Sequence, residues 1–204
     1  MQEHVALQSK GHVWRETRRI GKRILLQRTG EEMNQSQQNA SSQLKTGCTE
    51  NAHATKILFV CHGNICRSTM AQYVMQDLVE KNGLADSFVI DSAATSTEEI
   101  GNPIDPRTRR KLQQEGICCG NHRARQMTRA DYENFDYLIG MDHNNLRNMM
   151  RMLKNDPLGK VSLLLDWTEK PRDIADPWYS GNFDLTYDDV TEGCEALLKK
   201  LLAR

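Results

Sequence analysis

Four apolar residues, Ile57–Val60, run directly into Cys61-His62-Gly63-Asn64-Ile65-Cys66-Arg67-Ser68, and this junction constrains the chain more than any other stretch. The apolar run is short and β-prone, as expected of a strand buried on both faces of a parallel sheet. Gly63 and Asn64 tolerate the left-handed backbone that a tight loop requires. Arg67 and Ser68 then head a helical pattern. A strand, a tight loop and a helix N-terminus in succession aim backbone N–H groups and the positive end of a helix dipole at one point. An oxyanion fits that point, and the Cys61 sulfur stands where it could attack one.

From Lys56 onward strands and helices alternate. After the strand 57–60, a helix is expected from Ser68 to Asn82, with Met70, Tyr73, Val74, Asp77, Leu78 and Lys81 on one largely apolar face and Gly83 closing it. Phe88–Ser92 reads as a second strand. Asp105 can cap a helix that has Pro106 in its first position and ends at Gly116. A short helix starting at Thr128 or Asp131 precedes a strand Tyr137–Gly140. A helix Asp142–Lys154, a fourth strand Val161–Leu165 and a last amphipathic helix Leu185–Leu202 follow, with Asp176-Pro177 in a loop before the last. The pattern implies an α/β domain, a three-layer sandwich with a central four-stranded parallel sheet flanked by helices. In such sheets ligands bind beyond the carboxyl ends of the strands, which is where Cys61 lies.

Residues 1–55 differ in character. They hold eight Lys/Arg against five Asp/Glu, leaving nineteen against twenty-two for 56–204 and a formal charge of zero overall. That balance argues against a nucleic-acid-binding role for the whole chain. Val13, Thr17, Ile20 and Ile24 fall at helical spacing among five basic residues, and Asn34–Thr55 is rich in Gln, Asn, Ser and Thr. We expect a basic extension over 1–55, largely disordered because it has little to bury, and a compact domain over 56–204. The basic segment reads as a solvated extension, or as sequence ahead of the natural start, rather than a surface anchor or partner tag. No apolar run reaches transmembrane length, and no secretory signal accompanies the six cysteines (48, 61, 66, 118, 119 and 194). A reduced, cytoplasmic setting is the expectation.

Cys119 and Arg125 repeat the Cys-x5-Arg spacing of Cys61 and Arg67. No strand precedes Cys119, and Gln126 follows the arginine where a hydroxyl follows Arg67, so the second copy reads as coincidence. The first copy, ILFVCHGNICRS, together with DSAATS (91–96), HRARQMT (122–128), FDYLIGMD (135–142) and DPWY (176–179), resembles the low-molecular-weight phosphotyrosine protein phosphatases. The resemblance covers 56–204.

The chemistry agrees with that resemblance. A thiol attacks a phosphate monoester only when its pKa is pulled down, and Arg67 with the helix N-terminus would supply the pull. The guanidinium of Arg67 also matches phosphate bidentately, while amides of His62, Gly63, Asn64, Ile65, Cys66 and Arg67 bind the remaining oxygens. Ser68 can donate its hydroxyl to the sulfur. A tyrosyl leaving group needs a proton, and three Asp-Pro pairs compete to supply it. Asp105-Pro106 opens a helix and Asp156-Pro157 sits in a turn. Asp176-Pro177 precedes Trp178 and Tyr179, aromatics able to wall a phenyl ring, and Asp176 matches the family's general acid; its bland alternative is a loop N-cap. The resemblance further implies that Asn64, Ser92 and His122 form a hydrogen-bonded support, that no metal or other cofactor takes part, and that Cys66 can form a disulfide with Cys61. Cys66 reads equally well as a small residue packed inside the loop.

The expected partners are phosphotyrosine proteins, with a tyrosine kinase as one candidate. Thr97-Glu98-Glu99-Ile100 occupies a loop that often carries an aromatic in the family, which leaves one wall of the ring slot missing or acidic. Rival readings on the same fold are a phosphoarginine phosphatase, where threonine would replace Ile65, and an arsenate reductase recruiting Cys118, Cys119 or Cys194. From other classes come a non-catalytic phosphotyrosine-binding module and a zinc protein using Cys61 and Cys66, the latter without a second orderly ligand pair.

Overall fold

The computed structural model describes residues 54–203. The basic segment, Cys48 and nearly all of the expected linker lie outside the described residues. Strand β1 (Thr55–Cys61) leads to helix α1 (Arg67–Lys81), then β2 (Phe88–Ala94), α2 (Pro106–Gln114), α3 (Arg129–Asn134) and β3 (Tyr137–Gly140). Helix α4 (His143–Leu153), β4 (Val161–Leu163), the single turn α5 (Pro177–Ser180) and α6 (Phe183–Leu202) complete the order.

All four strands are parallel, in the order β2-β1-β3-β4. Because β2 pairs on one side of β1 and the chain then crosses to place β3 on the other, the strand order reverses at β1, which makes its carboxyl end the switch point. That end is Cys61, in register with Ala94 of β2.

Burial on both faces explains the uninterrupted apolar run. Ile57, Phe59 and Cys61 join one core with Met70, Val74, Met75, Ile139, Leu164, Val190 and Leu197, under α1 and α6. Leu58 and Val60 point the other way, to Met127, Leu138, Met149 and Leu153 under α4. Alternate residues of a strand serve opposite faces, so a strand central to three layers must be apolar throughout.

The expected elements are present, with ends that differ for local reasons. Strand β4 stops at Leu163 rather than Leu165, because the Asp166 carboxylate accepts from the Leu163 N–H at 3.0 Å and winds Leu164–Trp167 into a 3-10 turn. The last helix begins at Phe183, two residues earlier than expected, since the Asn182 side chain accepts from Leu185 N and caps it. Asp105 caps α2 with Pro106 in the first turn, and Thr128 forms a capping box with Asp131 at α3. Asp176 is not in a plain loop: its carboxylate accepts from Trp178 N and caps α5.

Candidate active site

Cys61 ends β1 and Arg67 begins α1, so five residues must turn the chain from the sheet into the helix. Cys66 holds the N-cap position of α1 and offers no side-chain cap. The first N–H groups of a 15-residue helix are thereby left for another acceptor. Asn64 makes the turn at φ 58°, a left-handed conformation that asparagine enters more readily than most residues. Gly63, expected to share that role, does not adopt it. A Cβ there would stand 3.0 Å from Glu99 Cγ, so a larger residue requires that side chain to shift.

Asn64 is fully buried, and every polar group on it is used. Its N–H reaches Cys61 Sγ at 3.3 Å. Its carbonyl accepts from Thr69 Oγ1 at 2.9 Å and from His122 Nε2 at 2.7 Å. Arg125 N donates to Oδ1 at 3.1 Å, which fixes the orientation of the side-chain amide. Nδ2 therefore donates, to Ser68 Oγ at 3.0 Å and Ser92 Oγ at 2.8 Å, and the Ser92 hydroxyl donates in turn to Gln72 Oε1 at 2.6 Å. With the amide donating to Ser68 Oγ, that hydroxyl proton is free to point at Cys61 Sγ, 3.0 Å away. The sulfur thus receives two hydrogen bonds whose direction the network dictates. Burial pushes the His122 pKa down, against the opposing pull of the Asn64 carbonyl, which favours the neutral ring.

Arg67 is 2% exposed. Its Nη1 donates to the Asp142 carboxylate and to the Ile174 carbonyl, and its Nη2 donates to the Asp176 carboxylate. Burial works against its charge, but Cys61, Asp176 and Asp142 outweigh that and raise its pKa. The two carboxylates are used alike. Asp142 caps α4 through Oδ1, which accepts from Asn145 N at 2.6 Å, and turns Oδ2 to Arg67. Asp176 caps α5 through Oδ1 and also turns Oδ2 to Arg67. Capping and facing the arginine are divided between the two oxygens of one side chain.

At the rim, Ser96 N donates to the His62 carbonyl, and the His62 ring meets Glu98 Oε2 at 2.9 Å. Asp105 N donates to the Ile65 carbonyl at 3.0 Å, and Ile65 is half-buried. Cys66 is buried, and burial followed by the charge of Asp105 pushes its thiol up to about 12. The Arg107 guanidinium lies 5.2 Å from the Trp178 ring centroid and 4.8 Å from that of Phe183, and pairs with Asp105 at 2.9 Å. Tyr179 is 86% exposed, so of the two expected walls only Trp178 is held in place by a neighbour.

The structure thus gathers Cys61, Asn64, Arg67, Ser68, Asp176, Ser92 and His122, and sequence reasoning passed over Asp142, Gln72, Thr69 and Arg125. Asp142 was legible as the start of α4, but its second oxygen was not. Arg125, set aside with its accidental Cys-x5-Arg spacing, holds Asn64 through a main-chain N–H while its guanidinium binds Asp91 and Asp131. A main-chain donor leaves no trace in residue type. The five described cysteines are free thiols, and Cys194 is buried in α6 with Sγ 3.7 Å from the Ala71 carbonyl.

Comparison with known proteins bears on this arrangement. The family described as low molecular weight phosphotyrosine protein phosphatase matches residues 56–204. A low molecular weight phosphotyrosine protein phosphatase of Rattus norvegicus is 42% identical over 150 residues, covering 71% of this chain and 94% of that protein. The low molecular weight protein-tyrosine-phosphatase YfkJ of Bacillus subtilis is 39% identical over 147 residues, with the same two coverages. Its crystal structure superposes with a TM-score of 0.71 over 74% of this chain and 96% of its own. The crystal structure of a Drosophila arginine phosphatase, 33% identical, superposes at 0.66 over 72% of this chain and 98% of its own.

Proposed function

The chain belongs to the low molecular weight phosphotyrosine protein phosphatase family, and from that premise we propose that it hydrolyses phosphotyrosine monoesters through a phosphocysteine on Cys61. The observation that carries this reading is the directed hydrogen-bond chain from Asn64 through Ser68 to the Cys61 sulfur, beside the open N-terminus of α1. In the first step the Cys61 thiolate forms a bond to phosphorus as the phosphorus–oxygen bond to the tyrosyl group breaks. Asp176, in its protonated form, gives its proton to the departing oxygen. In the second step Asp176, now ionised, takes a proton from the attacking water, the phosphorus–sulfur bond breaks, and Ser68 steadies the returning thiolate. Arg67 and the loop N–H groups stabilise the transferring charge, the task a metal performs elsewhere. Because Arg67 Nη2 faces Asp176, a phosphate drawing that nitrogen toward itself loosens its hold on the carboxylate.

The test is turnover without added metal on peptides bearing phosphotyrosine, phosphoserine or phosphoarginine. Phosphotyrosine should be hydrolysed and Cys61→Ser should abolish it. Asp176→Ala should cut turnover roughly 10²–10⁴-fold for tyrosyl substrates, and by less for p-nitrophenyl phosphate, whose leaving group needs less protonation. An equal loss on both removes Asp176 as the acid. Likeness to an arginine phosphatase keeps phosphoarginine in the panel, while the apolar branched side chain of Ile65 suits an aryl phosphate better.

The reading extends to the whole chain as a catalytic domain over 56–204 behind a basic extension, supported by the span of the family match. A cytoplasmic site of action is supported by five free thiols, and no helix of the described residues is long and apolar enough to cross a membrane. The partners would be phosphotyrosine proteins, tyrosine kinases among them.

A further inference from the structure

The mouth of the cradle carries two carboxylates that the reaction does not use. Both lie on the loop after β2, which is tied to the nucleophile loop by Thr95 N to the Cys61 carbonyl at 2.8 Å and Ser96 N to the His62 carbonyl at 3.0 Å. Glu98 extends over His62, the residue following the nucleophile, and remains exposed. Glu99 brings its Cγ to 3.0 Å from where a Cβ on Gly63 would stand, and its carboxylate accepts from Asn102 Nδ2 at 2.6 Å. Ile100 follows, 55% exposed. Three cations near the site have carboxylate partners of their own. Arg107 pairs with Asp105 through two nitrogens and stacks on Trp178 and Phe183, and Lys111 pairs with Glu115 and Asp184. Arg67 faces inward to Asp142 and Asp176. The charges of Arg109 and Arg123 act on the His122 ring, and on the nucleophile loop itself the His62 ring is the side chain that meets Glu98.

We propose that Glu98 and Glu99 determine specificity, selecting phosphotyrosine flanked by lysine or arginine and disfavouring phosphotyrosine flanked by aspartate or glutamate. This rests on the phosphotyrosine phosphatase reading above and names its substrate class. The phosphate itself is drawn to the loop N–H groups and Arg67 at the bottom of the cradle. Residues beside the phosphotyrosine stay at the rim, within range of Glu98 and Glu99. A cation there is attracted and an anion repelled, an effect that salt screens.

The experiment compares kcat/KM of the full chain on three phosphotyrosine peptides that differ only in flanking residues: lysine, alanine or glutamate. At low salt the lysine peptide should exceed the glutamate peptide about tenfold, mostly through KM, and the ratio should shrink as salt rises. In E98Q/E99Q the ratio should fall to about threefold or less, and E98Q alone should fall between. Equal rates on lysine and glutamate peptides in the unaltered protein, or an unchanged ratio in E98Q/E99Q, overturn the proposal. Should the double variant not fold, a salt-independent ratio in the unaltered protein overturns it instead. Failure to hydrolyse even the alanine peptide overturns the phosphatase reading, and this one with it. Hydrolysis of all three at one rate overturns this one alone.

Discussion

Asn64 shows how much a single residue is asked to do. It supplies the left-handed turn, orients Ser68 toward the sulfur, and ties the loop to β2 through Ser92 and to the 122–125 segment through His122 and Arg125. Asn64→Ala keeps the main-chain bonds, loses the three side-chain bonds and adds left-handed strain; Asn64→Gly loses the same bonds without strain. Both should lower unfolding free energy in urea, alanine by about 1 kcal/mol more than glycine. Both should also lower kcat, because the Ser68 proton is no longer directed to sulfur. Cys66 poses a second question at this scale. With its thiol pushed up to about 12, little thiolate is present near neutrality, so attack on an oxidised Cys61 should be slow and should quicken as pH rises. After peroxide and then added thiol, Cys66→Ala should regain less activity than the unaltered protein. Equal recovery would leave Cys66 as a packing residue.

Among the elements, three helices on the side of the site begin with an aspartate, and each cap does something further. Asp105 starts α2 and holds Arg107 against Trp178, Asp142 starts α4 and holds Arg67, and Asp176 starts α5 and faces Arg67 from the other side. Capping fixes the carboxylate rotamer at the cost of one oxygen, leaving the other aimed. Packing of α6 depends on a different device. Gly193 sits mid-helix, where a Cβ would come within 2.5 Å of Leu164 Cγ. Gly193→Ala gains helix propensity yet should destabilise the fold by roughly 1–3 kcal/mol through overpacking. Combining it with Leu164→Ala should cost less than the two single changes added together, because the smaller side chain opens the space. Denaturant titration of the four proteins measures the coupling.

Across the whole molecule, the reversal of strand order at β1 puts Cys61 between β2 and β3, so loops from both sides converge on one cradle. His122 arrives by that route, on the segment that follows α2, and its environment couples global stability to pH. Burial lowers its folded-state pKa below the ordinary 6.5, so between those two values the unfolded chain binds a proton that the native state does not. The resulting stability is fully present above 6.5 and is lost as pH falls below it, levelling off under the folded-state value. Urea unfolding from pH 8 to 5 should therefore be steeper in pH for the unaltered protein than for His122→Gln, and parallel curves would show that His122 is not the group responsible.

Legible in advance were the features that depend on neighbours in sequence. Alternating strand and helix signals, the Asp-Pro cap at α2 and the strand–loop–helix junction around Cys61 follow from local periodicity, capping chemistry and backbone permissiveness. Residue chemistry also pointed to Arg67, whose guanidinium matches phosphate bidentately, while Asp176 was marked out by the aromatic residues after it and by the family resemblance. What tertiary structure decided was which groups meet across long stretches of chain. Asp142 lies 75 residues from Arg67, and Gly193 is confined by a leucine on another element. Arg125 acts on Asn64 through a main-chain N–H, 61 residues away. Such pairings depend on strand order and helix packing, and a backbone donor is the same whatever residue carries it.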